Sequence, residues 1–366
     1  MRLLMITPYY LPKIGGVERH VHEIATRLGR RSDFNVTIVT ARYDAELPEF
    51  EQHDGFEVRR IAARPHGRDW LFTPELPRLV ATGGWDVVHI QSYHTLVAPL
   101  AMASAARAHL PYVVTFHGGG HSARIRGELR HLQRRMLRPL LARARALVAV
   151  AQFEIDQYAS ELHLPRERFA LIPNGVDLPP PPPGDEAPAE RAAGPLIASV
   201  GRLERYKGHH RVIEALPFVR EAFPDAHLWI AGSGPFEMAL RRLAAERGVE
   251  DAVEIGAVPP DARGEMARRL TETDLVVLLS EFETHPIAAL EALSLGRPLL
   301  VGSGSGLGEL AERGLARAVD GSAGAREVAD AIVRELRDPL VPPPTTLPTW
   351  DDCATALIAL YRSVAA

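Results

Sequence analysis

Two glutamates bracket seven residues in the stretch Glu283-Thr-His-Pro-Ile-Ala-Ala-Leu-Glu291. Ionised carboxylates are acceptor-only groups, and two of them together can hold the hydroxyls of a sugar and a ribose. A second pair, Arg202 and Lys207, lies five residues apart in Gly201-Arg-Leu-Glu-Arg-Tyr-Lys-Gly208. Arginine offers a planar fork of donors and lysine a compact charge, a combination that can clamp a diphosphate. His117, in Thr115-Phe-His-Gly-Gly-Gly-His121, can hydrogen-bond a hydroxyl or assist proton transfer. Each group also has an ordinary reading: solvated surface charge for the acids and bases, a structural ring for the histidine.

The surrounding pattern says how these groups are positioned. The apolar run Asp274-Leu-Val-Val-Leu-Leu-Ser280 precedes Glu283, and Gly296-Arg-Pro and the run Leu299–Val301 follow Glu291. That layout predicts strand, polar turn, helix, glycine stop and strand. Glu283 then stands at the carboxyl edge of a strand, where ligands of open α/β sheets bind, and Glu291 about two turns into the helix. In the N-terminal half, strands are expected at 2–7, 35–40, 57–62, 86–91, 112–117, 146–151 and 169–173. Helical periodicity separates several of them, as in 17–28 and 96–108. The pattern restarts with strands at 196–200, 227–231, 253–255, 275–279, 298–301 and 316–319. Its helices are expected near 209–222, 236–247, 260–271, 287–295, 325–336 and 349–364. This alternation predicts mostly parallel α/β sheets. Five prolines at 179–183 and a Gly/Asp/Glu/Ala/Pro-rich stretch to 195 predict a semi-rigid linker. The expected divisions are 1–178, 179–195, 196–345 and a terminal segment 346–366.

The length of 366 residues suits two domains, and 46% hydrophobic with 24% charged residues is ordinary for a globular chain. No apolar run approaches a membrane span, and Met1–Thr7 reads as a buried strand rather than a leader. A single cysteine, Cys353, leaves no internal disulfide or cysteine zinc cluster. A cytoplasmic protein is expected. Residues 1–178 carry 23 Lys+Arg against 18 Asp+Glu, and residues 179–366 carry 19 against 28. The N-terminal half is therefore the candidate for anionic partners. Only Lys13 and Lys207 among the 42 basic residues are lysines.

Gly15-Gly16-Val-Glu follows the first strand, where paired glycines can let amides approach a phosphate; a plain strand–helix turn fits as well. Gly232-Ser-Gly234-Pro and Gly256-Ala-Val258-Pro-Pro read as loops at the sheet edge that bears Arg202 and Glu283. Gly302-Ser-Gly-Ser-Gly-Leu-Gly308 is expected to be a glycine-rich turn presenting amides to a ligand. Residues 124–145 hold eight arginines. Arg126, Arg130, Arg134 and Arg138 recur every four residues, with Leu129, Leu132, Met136 and Leu140 as an apolar stripe. Such a helix either lies on an anionic membrane or meets a phosphorylated acceptor, or it is a core helix with a solvated arginine face. No metal motif, P-loop or dinucleotide fingerprint is present, and nothing suggests nucleic acid.

Jointly these motifs resemble the family 4 retaining glycosyltransferases. The resemblance runs nearly end to end through Gly15-Gly-Val-Glu-Arg-His20, Asp86-Val-Val-His89, Thr115-Phe-His-Gly118, Ile172-Pro-Asn-Gly-Val-Asp177, Gly201–Gly208, Gly232-x-Gly-Pro235, Glu283-x7-Glu291 and Trp350-Asp-Asp. It implies the GT-B fold: two Rossmann-like domains facing across a cleft, with a C-terminal helix crossing back to the N-domain. It implies that Arg202 and Lys207 grip the donor diphosphate, Glu291 the ribose, and Glu283 the transferred sugar. Amides around Thr284, His285 and Pro286 would help Glu283, and Gly15, Gly234, Val258 and Ile287 complete the donor-binding set. Gly16 would approach the phosphates and His117 the sugar. The commoner Gly-Phe-Gly after the first glutamate is Thr284-His285-Pro286 here, so donor identity does not transfer. The implied activity moves a hexosyl unit from GDP-mannose or a UDP-hexose to a lipid-linked, cell-surface glycan or small-molecule acceptor. Configuration would be retained by same-face substitution, with no metal and no resident cofactor. The basic helix adds a peripheral position at the inner face of the cell membrane. Two alternatives stay open, a nucleotide-sugar epimerase of the same fold and a non-catalytic polyanion or membrane-surface binder.

Overall fold

Continuous apolar runs become central parallel strands, because a parallel sheet covered by helices buries both faces of each strand. Leu3, Leu4, Met5 and Ile6 are all fully buried in the strand Arg2–Thr7. The computed structural model describes residues 1–13, 15–53, 55–64, 71–118, 124–179, 194–259, 262–340 and 347–366, with the side chains of 124–132 outside the description. The chain divides into two units. One comprises Met1–Gly118, Ala123–Gly175 and Pro348–Ala366, and the other takes in Val176–Leu347. Most of the proline-rich segment, residues 180–193, lies outside the described residues.

The first unit holds β1 (Arg2–Thr7), β2 (Asn35–Arg42), β3 (Phe50–His53), β4 (Phe56–Ala62), β5 (Val87–Gln91), β6 (Tyr112–Thr115), β7 (Ala146–Ala149) and β8 (Phe169–Leu171). They form one sheet in the order β3-β4-β2-β1-β5-β6-β7-β8. Every neighbouring pair is parallel except β3 with β4. Its helices are α1 (Gly16–Gly29), α2 (Leu76–Thr82), α3 (Val97–Arg107), α4 (Arg124–Leu141) and α5 (Gln152–Leu162). In α1 the buried His20, Val21, Ile24, Ala25 and Leu28 mark one face at helical spacing.

The second unit holds β9 (Leu196–Val200), β10 (His227–Ala231), β11 (Val253–Gly256), β12 (Leu275–Leu278), β13 (Leu299–Gly302) and β14 (Arg317–Val319). Their order is β11-β10-β9-β12-β13-β14, parallel throughout. Alternate residues go to opposite faces. Ile197, Leu228, Ile230, Leu275 and Val277 enter one core cluster, and Ala198, Trp229 and Val276 the other. The helices are α6 (His209–Ala222), α7 (Glu237–Glu246), α8 (Arg263–Glu272), α9 (Ile287–Ser294), α10 (Ser305–Glu312) and α11 (Ala325–Arg337).

The last helix, α12 (Trp350–Ala365), belongs to the first unit. Thr349 and Asp352 form a reciprocal capping box at its start, with the Asp352 amide donating to Thr349 Oγ1 at 3.1 Å and the Thr349 amide to Asp352 Oδ2 at 2.9 Å. Trp350, Cys353, Ala354, Leu357 and Tyr361 line its buried face. Arg27 reaches Asp351 at 2.5 Å and Arg362 reaches Asp33 at 2.8 Å.

Three expectations are corrected. The edge strand β3 was not expected; Asp54-Gly55, a strong hairpin signal, separates it from β4. The run 302–308 is not a turn but the entry to α10, whose N-cap is Gly304. Among the described side chains of α4, Arg134, Leu137 and Leu141 are buried and Leu140 packs against the core, whereas Met136 is 71% exposed and leaves the expected apolar stripe; Leu129 and Leu132 lie outside the described side chains.

Candidate active site

In each sheet the strand order reverses once, between β1 and β5 in the first and between β9 and β12 in the second. That reversal opens a crevice at the carboxyl ends of the strands, where doubly wound sheets bind ligands. In the second unit the loop after β9 carries Arg202 and Lys207, and the loop after β12 carries Glu283. The two loops pack together through backbone. Gly208 has φ +77°, and a Cβ there would lie 2.1 Å from the Leu279 carbonyl oxygen, so only glycine allows the approach. His209 fixes the β9 loop from beneath. Its Nε2 donates to the Arg202 carbonyl at 3.2 Å, which leaves Nδ1 to accept from the Ser199 hydroxyl at 2.9 Å. Burial lowers the His209 pKa to about 4, so the ring is neutral in that role.

The approach brings Lys207 Nζ onto the Glu283 carboxylate. Glu283 Oε1 also accepts from Ser280 Oγ at 2.9 Å. Its amide donates to Ser305 Oγ at 2.9 Å, and its carbonyl accepts from the Gly306 amide at 2.8 Å. Glu283 is thus held from β12, from the β9 loop and from the first turn of α10. Arg202 lies along the same loop, donating to Tyr206 Oη at 2.9 Å and pairing with Glu204 at 3.0 Å. Glu291, buried on α9, pairs with Arg263 from α8. Both carboxylates therefore carry a cationic partner before any ligand arrives. A donor diphosphate would compete with Glu283 for Lys207.

Gly306 has a further constraint. A Cβ would sit 1.6 Å from the Thr284 carbonyl oxygen. In Gly306→Ala the clash is with backbone rather than with the end of a flexible side chain, so the half-buried Glu283–Thr284 segment must shift and stability is expected to fall. That shift displaces Glu283, and a misplacement of about 1 Å costs about 100-fold in rate. A lowered steady-state transfer rate in protein that is still folded at the assay temperature, with a reduced thermal midpoint, is the expected result; an unchanged rate would overturn it.

Thr284, half-buried His285 and Pro286 form the turn between β12 and α9, and Pro286 is the N-cap of that helix, which starts at Ile287. Desolvation, aided by the Arg313 charge, lowers the His285 pKa to about 4. Gly234 and Val258 stand in the loops after β10 and β11. A Cβ on Gly234 would meet the Leu203 carbonyl oxygen at 2.5 Å, so contact between loops already accounts for that glycine.

In the first unit Gly15 caps α1 and Gly16 is its first residue. A Cβ on Gly16 would meet nothing within 4 Å, so packing does not require the glycine. His117 lies two residues beyond β6 with φ +44°, a left-handed conformation that is uncommon outside glycine and asparagine. Glu154, fully buried, accepts from the Gly118 amide at 3.0 Å and the Val150 amide at 2.9 Å, holding that turn. His117 Nε2 meets Gln91 Oε1 at 2.8 Å, and its ring packs edge-on to His20 at 4.6 Å. Burial, with the neighbouring His20, His89 and His94, holds the His117 pKa well below the usual histidine value. A neutral hydrogen-bonding ring fits this environment better than a proton-transfer group.

The arginine patch is corrected in part. Arg134 is 6% exposed and pairs with Glu161 at 2.5 Å, while Nη1 donates to Tyr93 Oη at 3.2 Å. Arg138 is exposed but donates Nε to the Leu162 carbonyl at 2.7 Å. Arg134 thus serves the core, and the side chains of Arg126 and Arg130 lie outside the described residues. Ser280, Arg263, Ser305, Gln91 and Tyr361 were not singled out in sequence. His20 and Asn174 were quoted within motifs without a role, and they prove to be bonded to each other at 2.9 Å. Among the described residues no group of three or more His, Cys, Asp or Glu is placed to hold a metal ion. Among them, too, no helix is long and apolar enough to cross a membrane.

Two Rossmann-like units in one chain, each with motif loops at its strand-order reversal, define a GT-B glycosyltransferase. Solved structures share this fold. Sucrose-phosphate synthase from Thermosynechococcus elongatus aligns with a TM-score of 0.78 at 19% identity, covering 99% of this chain and 98% of its own. HepE from Anabaena, solved in complex with UDP-glucose, aligns with a TM-score of 0.72 at 19% identity, covering 100% and 98%. The model of Glycosyltransferase Family 4 matches residues 14–179, and that of Glycosyl transferases group 1 matches residues 185–343. Glycogen synthase of Mycobacterium tuberculosis is 30% identical over 84% of this chain and 80% of its own length. The GDP-mannose:cellobiosyl-diphosphopolyprenol alpha-mannosyltransferase of Xanthomonas campestris is 28% identical over 81% and 77%. The chain belongs to the family 4, group 1 glycosyltransferases.

Proposed function

We propose that the protein is a retaining hexosyltransferase that uses a nucleotide sugar, GDP-mannose or a UDP-hexose, without a metal. The observation that carries this reading is the meeting of Lys207 with Glu283 at the β9/β12 reversal, with Arg202 on the same loop. Breaking a sugar–phosphate bond leaves a nucleoside diphosphate carrying extra negative charge and an oxocarbenium-like carbon. Arg202 and Lys207 supply fixed positive charge where the departing oxygen develops its own. Glu283 orients the sugar hydroxyls, supported by amides at Thr284–Pro286, and Glu291 takes the ribose hydroxyls. Same-face substitution follows, with the leaving phosphate taking the acceptor proton. In the first unit, Gly16 is assigned a phosphate contact and His117 a sugar hydroxyl.

The acceptor is proposed to be a hydroxyl of a lipid-linked or cell-surface glycan, and the reaction to run at the cytoplasmic face of the membrane. The mannosyltransferase relative, named for a diphosphopolyprenol substrate, supports this. The epimerase and polyanion-binding alternatives gain no support from the relatives. The test is a thermal-shift screen with GDP, UDP and ADP and their sugars, followed by NMR of the product. One diphosphate is expected to stabilise by about 2.7 kcal/mol at 100 times its Kd. No shift with any nucleoside diphosphate would sink the donor reading. An inverted anomeric product would sink retention.

A further inference from the structure

Arg263 stands where local rules disfavour an arginine. It is the first residue of α8, and Ala262 before it gives no side-chain cap. A cation there faces the positive end of the helix dipole. Its Nε is buried and finds no hydrogen-bond partner among the described residues, a costly state for a donor. What fixes the side chain is Glu291, 28 residues further on, whose Oε1 accepts from Arg263 Nη2. A position that breaks its local rules in this way is answering a demand made elsewhere.

Glu291 makes that demand. Its side chain is only 7% exposed. Its helix neighbours Ala289 and Ala292 belong to an apolar cluster, against which Val258 of the β11 loop and Met266 of α8 also pack. A carboxylate so placed has lost most of its hydration, and without a cation it is driven to take up a proton. The proton turns one acceptor oxygen into a donor. With Arg263 in place the group stays ionised and accepts only. A carboxylate has about four lone-pair sites, so it can hold a guanidinium and receive two hydroxyls together. The bond to Arg263 also restrains the carboxylate from rotating. The pair as a whole is neutral, so it adds no repulsion against the diphosphate assigned to Arg202 and Lys207.

We propose that Arg263 is a positioning residue for the nucleotide half of the donor. It keeps Glu291 charged and oriented to accept from both vicinal hydroxyls of the ribose, and the site thereby selects ribonucleoside over 2′-deoxyribonucleoside diphosphates. This rests on the ribose role proposed for Glu291. A 2′-deoxy nucleotide leaves one charge-assisted bond unmade. A carboxylate that had taken up a proton would discriminate poorly, because its own O–H can serve the remaining 3′-hydroxyl.

The test is calorimetric titration at pH 7 with GDP, UDP and ADP and with the 2′-deoxy form of each. The wild type is expected to bind its preferred ribonucleotide at least about tenfold more tightly than the deoxy form, the scale of one hydrogen bond to a charged group. Arg263→Met keeps the apolar stem and removes the charge. It should weaken the ribonucleotide more than the deoxy form and bring their ratio within about twofold. Arg263→Lys restores the charge and should recover part of the ratio. Should Arg263→Met fail to fold around its stranded carboxylate, the pair is removed together. In a Glu291→Gln background, Arg263→Met should change ribonucleotide affinity by less than about twofold, because a residue acting only through Glu291 has nothing left to position. Equal weakening of both nucleotides by Arg263→Met, or an additive loss in the double variant, would overturn the proposal and leave the donor reading standing. A wild type that binds a nucleoside diphosphate without preferring ribose would overturn the proposal together with the role of Glu291. One that binds no nucleoside diphosphate would sink the donor reading and the proposal with it.

Discussion

Lys207→Ala is expected to lower the transfer rate by two to three orders of magnitude and to weaken nucleoside diphosphate binding at least tenfold. Removal of one fixed donor from a developing anion typically costs about 10²–10³ in rate, and Lys207 is one of only two lysines in the chain. Glu283→Gln makes the opposite test of the same pair. In the unliganded protein Glu283 already neutralises Lys207. Removing its charge frees the ammonium for phosphate, so the bare diphosphate should bind as tightly as before or more tightly. Transfer should still fall, because the amide offers one neutral acceptor oxygen and an N–H2 donor where the carboxylate offered two charged acceptor oxygens. Calorimetric titration of the diphosphate against both variants, beside their kcat values, separates the roles. If Lys207→Ala binds the diphosphate as well as the wild type, the clamp is wrong. If Glu283→Gln weakens the bare diphosphate as much as Lys207→Ala does, Glu283 contacts the nucleotide portion instead.

Acidification from pH 7 to 5 is expected to remove several kcal/mol of stability from each unit. His20 and His89 have folded pKa values of about 4 and about 3, and His117 lies well below normal, all chiefly by burial. Their unfolded values sit near 6.5. Between these limits the unfolded chain binds protons that the folded chain refuses, so stability rises with pH and is lost as pH falls below about 6.5. Each such histidine contributes up to about 1.4 kcal/mol per pH unit. His20 and His89 alone, over the 1.5 units from 6.5 to 5, amount to about 4 kcal/mol, against a typical total of 5–15 kcal/mol, and His117 acts in the same direction. The second unit has His209, His210 and His285 depressed to about 4, chiefly by burial, and loses stability over the same range. Urea unfolding at pH 7, 6 and 5, with hydrogen exchange to follow each unit, checks the loss. A midpoint unchanged between pH 7 and pH 5 would contradict it.

Much of this fold was readable because its strands are buried on both faces. Arg2–Thr7, Leu196–Val200 and His227–Ala231 were placed to the residue. The edge strand Phe50–His53 was not, because an exposed polar alternation looks like loop. The arginine face of α4 was misread at Arg134 for a different reason. Arg134 is buried through Glu161, 27 residues further on, and such a pairing leaves no local periodicity. Arg263 was missed in the same way, since Glu291 lies on another helix. The run 302–308 was taken for a turn because glycine opposes helix formation. Gly306 is there to admit the Thr284 carbonyl, a demand made by a distant loop. Chemistry-bearing types at strand ends were legible, whereas the partners that hold them were not.

The first unit is stitched from both ends of the chain. During synthesis Trp350 and Tyr361 emerge after every residue of the second unit. Until then the polar cluster at His20, His89 and His117 lacks α12, and the β1–β8 sheet is left with part of one face uncovered. The ordinary vectorial order of folding is therefore reversed here: the unit begun first is completed last, and the later-made unit can finish ahead of it. A fragment ending at residue 175 would contain all eight strands of its sheet and still lack the helix that closes it.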